Sequence, residues 1–327
     1  MHVNCWDPHT RYRTPVEYGN PFEDDPPPDW LTGELIEQHR SGYGPHSARE
    51  VAGWGPNDTE KWPRLPAEIR TLEDYKKWID GYDTGIHYAD MFIGRVMDKL
   101  DDLGILDETA VLVSSDHGEN QGELNIYGDH HTADPITSRV PCVLRWPGVR
   151  PAVLPGFYYQ SDVAASILDL WGMETPAAWD GRSFADELRA GEGTGRGVVV
   201  TSQGCWACQR MVRWDRWALI RTYDTGLKRF PAVMLFDVEA DPHLLHDLAG
   251  ENPAARDRGL ALLERWHAEM MGTSDQNVDP MWNVIREGGP YHTRDSVAMY
   301  CEVLRKTGRT HHAEFLETHG GKPIDRV

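Results

Sequence analysis

The sequence predicts an α/β fold: one layered helix-and-strand unit followed by a small C-terminal antiparallel sheet with a helix packed on it. Three observations carry this. A long amphipathic helical pattern runs straight into a short apolar strand, Val111-Leu112-Val113-Ser114-Ser115. A second apolar run, Val140 to Leu144, follows within thirty residues. After residue 195 the pattern changes to short β-like runs separated by turn residues. With 327 residues, 40% of them hydrophobic, the chain can bury a sizeable core.

Taken in order, residues 10–70 are rich in Pro, Gly and Trp and show little periodicity. They read as a long surface excursion of the kind that shapes substrate pockets, or as a plain surface loop. Residues 72–103 read as a helix whose apolar face carries Ile86, Ala89, Ile93, Val96, Met97, Leu100 and Leu103. Gly104 stops it. Ser161 is expected to cap a helix through Trp171, with Gly172 after it. A short helix is expected near residue 188, and the glycine-rich segment 191–195 is the best linker candidate. The runs 197–202, 209–213, 217–222 and 233–236 predict the small antiparallel sheet. Helices are expected over 254–271, burying Leu260, Leu263 and Trp266, and over 296–306. This organisation divides the chain into 1–195 and 196–327.

The formal net charge of −19 disfavours nucleic acid and anionic membrane as partners. No apolar stretch approaches a membrane span, and there is no signal-peptide pattern, so the default compartment is the cytoplasm. Five cysteines imply no complete disulfide framework. Cys205 and Cys208 form a lone C-x-x-C without a second pair. Thirteen tryptophans suit aryl or carbohydrate stacking and equally suit ordinary packing.

The chemistry-bearing residues begin with Asp116 and His117, at the carboxyl end of the predicted strand, where ligands of open α/β sheets bind. Carboxylate and imidazole together suit several divalent cations. The same pair is also what a solvated strand end looks like, and two donors do not complete a metal site. Tyr127-Gly128-Asp129-His130-His131-Thr132-Ala133-Asp134 is polar, turn-forming and rich in imidazole. It could contact an anion or protonate a leaving group, or be a surface loop. Ser138-Arg139 offers an anion contact or a surface cation. In Trp6-Asp7-Pro8-His9-Thr10, the proline holds a turn on which His9 could donate a proton.

These segments together resemble the C-terminal part of a sulfatase of the alkaline-phosphatase superfamily. Ser114-Ser115-Asp116-His117-Gly118-Glu119 resembles the strand end that brings the second pair of metal ligands. Arg139 through Gly148 resembles the family's R-V-P-x-x-x-R-W-P-G strand. Ser161-Asp162-Val163 through Leu170, and Asp180-Gly181-Arg182-Ser183, resemble its next helix and turn. Leu235-Phe236-Asp237 through Asp241-Pro242, then His246-Asp247-Leu248-Ala249, resembles the L-Y-D-L-x-x-D-P-x-E-x-x-N-L-A signature. The agreement extends over residues 1–270.

The resemblance implies hydrolysis of sulfuric esters, of aryl or carbohydrate class and from small molecules or glycans. It implies a divalent metal, calcium before magnesium or manganese, and a formylglycine nucleophile. It makes Asp116 and His117 metal ligands. It places His9 and His131 as catalytic and substrate-binding histidines, near the ester oxygen and the sulfate respectively. A phosphodiesterase or phosphonate monoester hydrolase of the same superfamily, and an inactive sulfatase-like binding protein, are the alternatives.

The chain departs from the family pattern in three ways. No cysteine or serine begins a C-x-P-S-R or C-x-A-S-R motif, the paired aspartates of the first family strand are missing, and no lysine follows His131 in its loop. The expectation is a domain lacking its first strands, inactive alone, whose nucleophile lies on an upstream fragment.

Overall fold

The computed structural model describes residues 1–324; the last three residues of the C-terminal segment, 325–327, lie outside the described part. Helix α1 (Gly33–Ser41) is capped by Thr32, whose hydroxyl accepts the Leu35 amide. Helix α2 (Leu72–Asp102) opens on a capping box in which Thr71 and Asp74 satisfy each other's free amides. A short 3-10 turn leads into strand β1 (Val111–Ser114), which pairs antiparallel with β2 (Cys142–Arg145). Between them lies the one-turn helix α3 (Pro135–Ser138). Helices α4 (Gln160–Leu170) and α5 (Ala185–Ala190) follow.

The second sheet takes strands β3 (Val198–Gln203), β4 (Cys208–Trp214), β5 (Trp217–Asp224) and β6 (Val233–Asp237) in sequential antiparallel order. Helix α6 (Pro253–Thr273) lays Leu260, Leu263 and Trp266 against Val212, Trp214 and Leu219 of one sheet face. The opposite face, through Met211, Ile220, Met234 and Phe236, packs on Ile126 and Ala133 of the β1–β2 connection. Helices α7 (Pro280–Arg286), α8 (Val297–Lys306) and α9 (Thr310–His319) complete the chain. The α/β class with a small antiparallel sheet and helix is thus what the sequence predicts.

Several expectations are corrected. Residues 10–70 are not a surface excursion. Tyr12, Leu31, Ile36, Ala48, Val51, Leu65 and Ile69 form a core with Tyr75, Trp78 and Tyr127. Their spacing follows no secondary-structure period because most of them sit in loops, where side-chain direction is set by turns. Ser161 does not cap α4; Tyr159 precedes the helix and donates its amide to the Asp162 carboxylate at 2.9 Å. The glycine segment 191–195 is not loose either. Gly195 and Arg196 bridge to Phe157, and the Arg196 guanidinium grips the buried Asp162 carboxylate at 2.6 Å. The tail folds back as well: Tyr300, Leu304, Ala313 and Leu316 pack on Tyr43 and Leu227.

Some apolar positions legible in the sequence remain exposed. Ile86 of α2, Leu103 just beyond its end, Leu112 of β1 and Val143 of β2 are all exposed, Leu112 and Val143 on opposite faces of the strand pair. The described chain places nothing over them. Among the described residues, no helix is long and apolar enough to cross a membrane.

Candidate active site

The site is built where three loops meet, and buried polar groups hold each one. The loop after β1 carries Asp116, His117 and Glu119. Gly118 is required there because a Cβ would lie 2.3 Å from the Ile136 carbonyl oxygen, which α3 brings close. The Gly118 amide donates to the Thr137 carbonyl at 2.8 Å. Helix α3 is fixed in turn by Asp134, whose Oδ1 accepts the amides of Ile136 and Thr137. Burial pushes the Asp134 carboxyl up to about 6, against the pull of those hydrogen bonds. Asp134 therefore has a structural task. Ser138 donates to the Asp134 carbonyl, and Arg139 points into solvent.

The loop containing His9 is pinned to the loop containing Asp116. The Glu119 carboxylate is buried and accepts from the Thr10 amide at 2.9 Å and the Thr10 hydroxyl at 2.8 Å. Its Oε1 also lies 3.6 Å from His9 Nδ1. Burial raises the Glu119 carboxyl above its ordinary range, while the bonds to Thr10 and the charge of His9 hold it down. His9 Nδ1 bonds the Thr10 carbonyl, which leaves Nε2 for a ligand. The His9 ring sits edge-on to His117 at 5.9 Å between centroids, and His117 lies 4.1 Å from His130.

Asp116 and His117 form the rim. The Asp116 side chain is 87% exposed, with Oδ2 3.9 Å from His117 Nε2. His117 Nδ1–H donates to the Gly118 carbonyl at 2.8 Å, presenting Nε2 as an acceptor. His130 is half-buried, and burial draws its imidazole below the ordinary value.

His131 lies deeper. It is 1% exposed and stacks on Trp206 at 4.0 Å with 11° between the planes. Its Nε2 is 3.9 Å from Asp129 Oδ2 and has no hydrogen-bond partner among the described residues. His46 approaches the same carboxylate, with Nε2 3.3 Å from Asp129 Oδ2. Burial first, then the nearby charge of Lys228, holds His131 well below an ordinary imidazole. Burial lowers His46 too, although Asp129 opposes this. Lys228, from the β5–β6 connection, donates to the Asn125 carbonyl at 3.1 Å and is pushed down to about 7 by burial.

The second sheet buttresses this loop. Gln203 donates to the His130 carbonyl, Thr201 to the Ala133 carbonyl, and the Ala133 amide to Gln209 Oε1. Gly128 is left-handed at φ +64°, and a Cβ there would strike the Thr10 hydroxyl and the Trp78 ring. The GDHH loop and the His9 loop therefore lie in direct contact. A cleft of about 210 Å³ opens beside them, lined by Thr10, Arg11, Arg13, His46, Trp62 and Asp129.

The structure thus brings His9, Asp116 and His117 to one rim and sets His131 beneath it. Sequence reasoning missed His46, Trp206 and Lys228, and gave Asp129 and Glu119 no role of their own. Asp129 and Glu119 stand inside segments already singled out. Trp206 stands inside the C-x-x-C, whose cysteines are free, Cys205 exposed and Cys208 buried. His46 and Lys228 carry no local signal. The lysine missing from the loop after His131 has a spatial neighbour in Lys228, donated by a hairpin far along the chain.

Comparison with known proteins gives a consistent result. The family model described as Sulfatase matches residues 13–173. Choline-sulfatase of Rhizobium meliloti is 28% identical over 255 residues, 77% of this chain and 46% of that protein. The multifunctional alkaline phosphatase superfamily protein PehA of Trinickia caryophylli is 29% identical over 189 residues, 49% of this chain and 34% of that protein. The solved phosphonate monoester hydrolase of Silicibacter pomeroyi shares the fold, with a TM-score of 0.61, 22% identity, and coverage of 82% of this chain and 55% of that one. The chain spans between a third and about half of the length of these relatives.

Proposed function

Because this chain belongs to the sulfatase family of the alkaline-phosphatase superfamily, we propose that it forms the acid-donating and metal-holding part of a sulfuric ester hydrolase. The substrates are aryl or carbohydrate sulfates, as small molecules or glycans. The formylglycine nucleophile comes from sequence outside this chain. The observation that carries the reading is the joining of the His9 loop to the Asp116–His117 loop through buried Glu119. It sets a proton donor and two ligand side chains on one rim.

Asp116 Oδ2 and His117 Nε2, 3.9 Å apart, are placed to meet one ion, and the Gly118 carbonyl fixes the required tautomer of His117. They fit a divalent metal as a half-site: among the described residues no third His, Cys, Asp or Glu donor joins them. Oxygen donors from outside the chain would make calcium the natural occupant, with magnesium or manganese as alternatives. When bound, such an ion supplies neutralisation of the ester's negative charge.

His9 gives its Nε2 proton to the ester oxygen as the C–O–S linkage breaks, while Nδ1 stays committed to the Thr10 carbonyl. Glu119 holds that loop in place through Thr10. His131 acts on the sulfate side, beside Asp129. Exposed apolar side chains on α2, β1 and β2 suit cover by an upstream fragment, and we place the boundary between the catalytic part and the C-terminal subdomain at residue 195.

The test is a leaving-group series of aryl sulfates, run beside an aryl phosphonate, on this chain co-expressed with the coding sequence that precedes it in its genome. His9→Ala is expected to slow poor leaving groups most, by about 10²–10⁴-fold. Equal losses across the series would remove His9 as the acid. Turnover of the phosphonate alone would transfer the site to phosphonate ester chemistry.

A further inference from the structure

We infer a second metal site, for a divalent transition ion of the zinc class, at His46, Asp129 and His131. It is separate from the Asp116–His117 rim and competes with the sulfatase reading for His131, whose Nε2 serves either the ion or the sulfate. One ligating atom from each of the three residues lies within 4.8 Å of the others. Two of the separations are 3.3 Å and 3.9 Å. Zinc–nitrogen and zinc–oxygen bonds of about 2.0–2.1 Å in a tetrahedral site place neighbouring ligand atoms about 3.3–3.4 Å apart. Two of the three separations therefore lie within about 0.6 Å of that spacing.

The state of the two rings points the same way. His131 Nε2 is buried and has no hydrogen-bond partner among the described residues. Leaving such a nitrogen unsatisfied costs about 1–3 kcal/mol, and an ion would use its lone pair. Trp206 fixes the plane of that ring. His46 Nδ1–H donates to the Tyr127 carbonyl at 3.2 Å, which leaves Nε2 as the free acceptor. This backbone clamp on the distal nitrogen is the usual support of a metal-bound histidine.

Two imidazoles and one carboxylate match zinc, cobalt or nickel and are poor ligands for calcium or magnesium. The cleft beside His46 and Asp129 leaves room for an exchangeable fourth ligand, as open zinc sites require. Lys228 opposes a cation here. Its Nζ is turned to the Asn125 carbonyl, so it tunes affinity and does not occupy the ligand set.

The experiment is titration of the purified metal-stripped chain with Co²⁺, followed by visible d–d absorption and by displacement with Zn²⁺. One tetrahedral-type Co²⁺ per chain is expected, displaced by Zn²⁺ and not by Ca²⁺. His46→Gln and Asp129→Asn should each weaken it by at least about tenfold, a loss that even supporting residues of metal sites show. Asp116→Ala should leave it intact. Circular dichroism reports whether each variant is folded, and two independent ligand changes keep the test valid if one is not. Absence of Co²⁺ binding by the unaltered chain would overturn the inference. So would binding that survives both ligand changes, or binding abolished by Asp116→Ala. Protection of the cluster by inorganic sulfate with no response to Co²⁺ would make it an anion site instead.

Discussion

The rim pair Asp116–His117 and the buried cluster His46–Asp129–His131 use the same two side-chain types, and they differ in everything burial controls. Asp116 stands in solvent, so its carboxylate carries little desolvation cost. Asp129 is partly buried and already meets three imidazoles, those of His46, His130 and His131. On the rim, the Asp116 and His117 side chains bond only to adjacent backbone, while the loop that carries them is tied to Thr137 and Thr10. In the cluster, ligand geometry is held by long-range contacts, through Trp206, Tyr127 and the second sheet. The lesson is that identical residue types are left free when exposed and fixed by neighbours when buried.

Four changes would break or sharpen this contrast. The largest effect is expected for Trp206→Ala, which removes a large side chain packed on both His131 and His46. A loss of about 3–5 kcal/mol in denaturant unfolding is expected. A loss below about 1 kcal/mol would show that the cluster floor is not packed. Glu119→Ala comes next. It strips the Thr10 amide and hydroxyl of their acceptor and separates the two loops, at about 2 kcal/mol. Glu119→Gln should recover much of that loss, because the amide oxygen still accepts. Failure of the glutamine to do so would assign the effect to the His9 charge pair.

Lys228 gives a pH signature. Its folded-state value is depressed from 10.5 to about 7, mainly by burial. Below pH 7 both folded and unfolded chains hold the proton, and the full burial penalty applies. Between about 7 and 10.5 the unfolded chain binds more protons, so stability rises with pH, by up to about 1.4 kcal/mol per unit. Lys228→Met should flatten that rise in urea unfolding measured from pH 6.5 to 9. Parallel curves for the two proteins would mean that the ammonium is paired and unstrained. The smallest effect is expected for Asp116→Ala, within about 0.5 kcal/mol of the parent, because the side chain is exposed. Under the proposed function, the same change in the chain co-expressed with its upstream coding sequence is expected to abolish turnover and weaken metal binding. Unchanged activity would sink its assignment as a ligand.

The strand that ends in Asp116-His117-Gly118 was legible because its signals are local. A β-branched apolar run, then a polar turn, is determined by neighbours a few residues apart. Much the same holds for the second sheet, whose alternating runs and turns mark strands within a residue or two of their observed ends, and for α2, whose capping box and period lie within its own sequence. Residues 10–70 were misread because a core assembled from loops has no period to detect. The α2 face was read as a core stripe, but whether a stripe is covered depends on what lies opposite.

The sequence by itself determined the two sheets' strands, the main helices and the rim chemistry, since backbone propensity and side-chain spacing act over one or two turns. Only the tertiary structure decided that His46 and Lys228 join Asp129 and His131. The backbone bond from the Tyr127 amide to the His46 carbonyl, and the hairpin that carries Lys228, close contacts across about eighty to a hundred residues. Such contacts depend on how whole elements pack, and no short window of sequence encodes them.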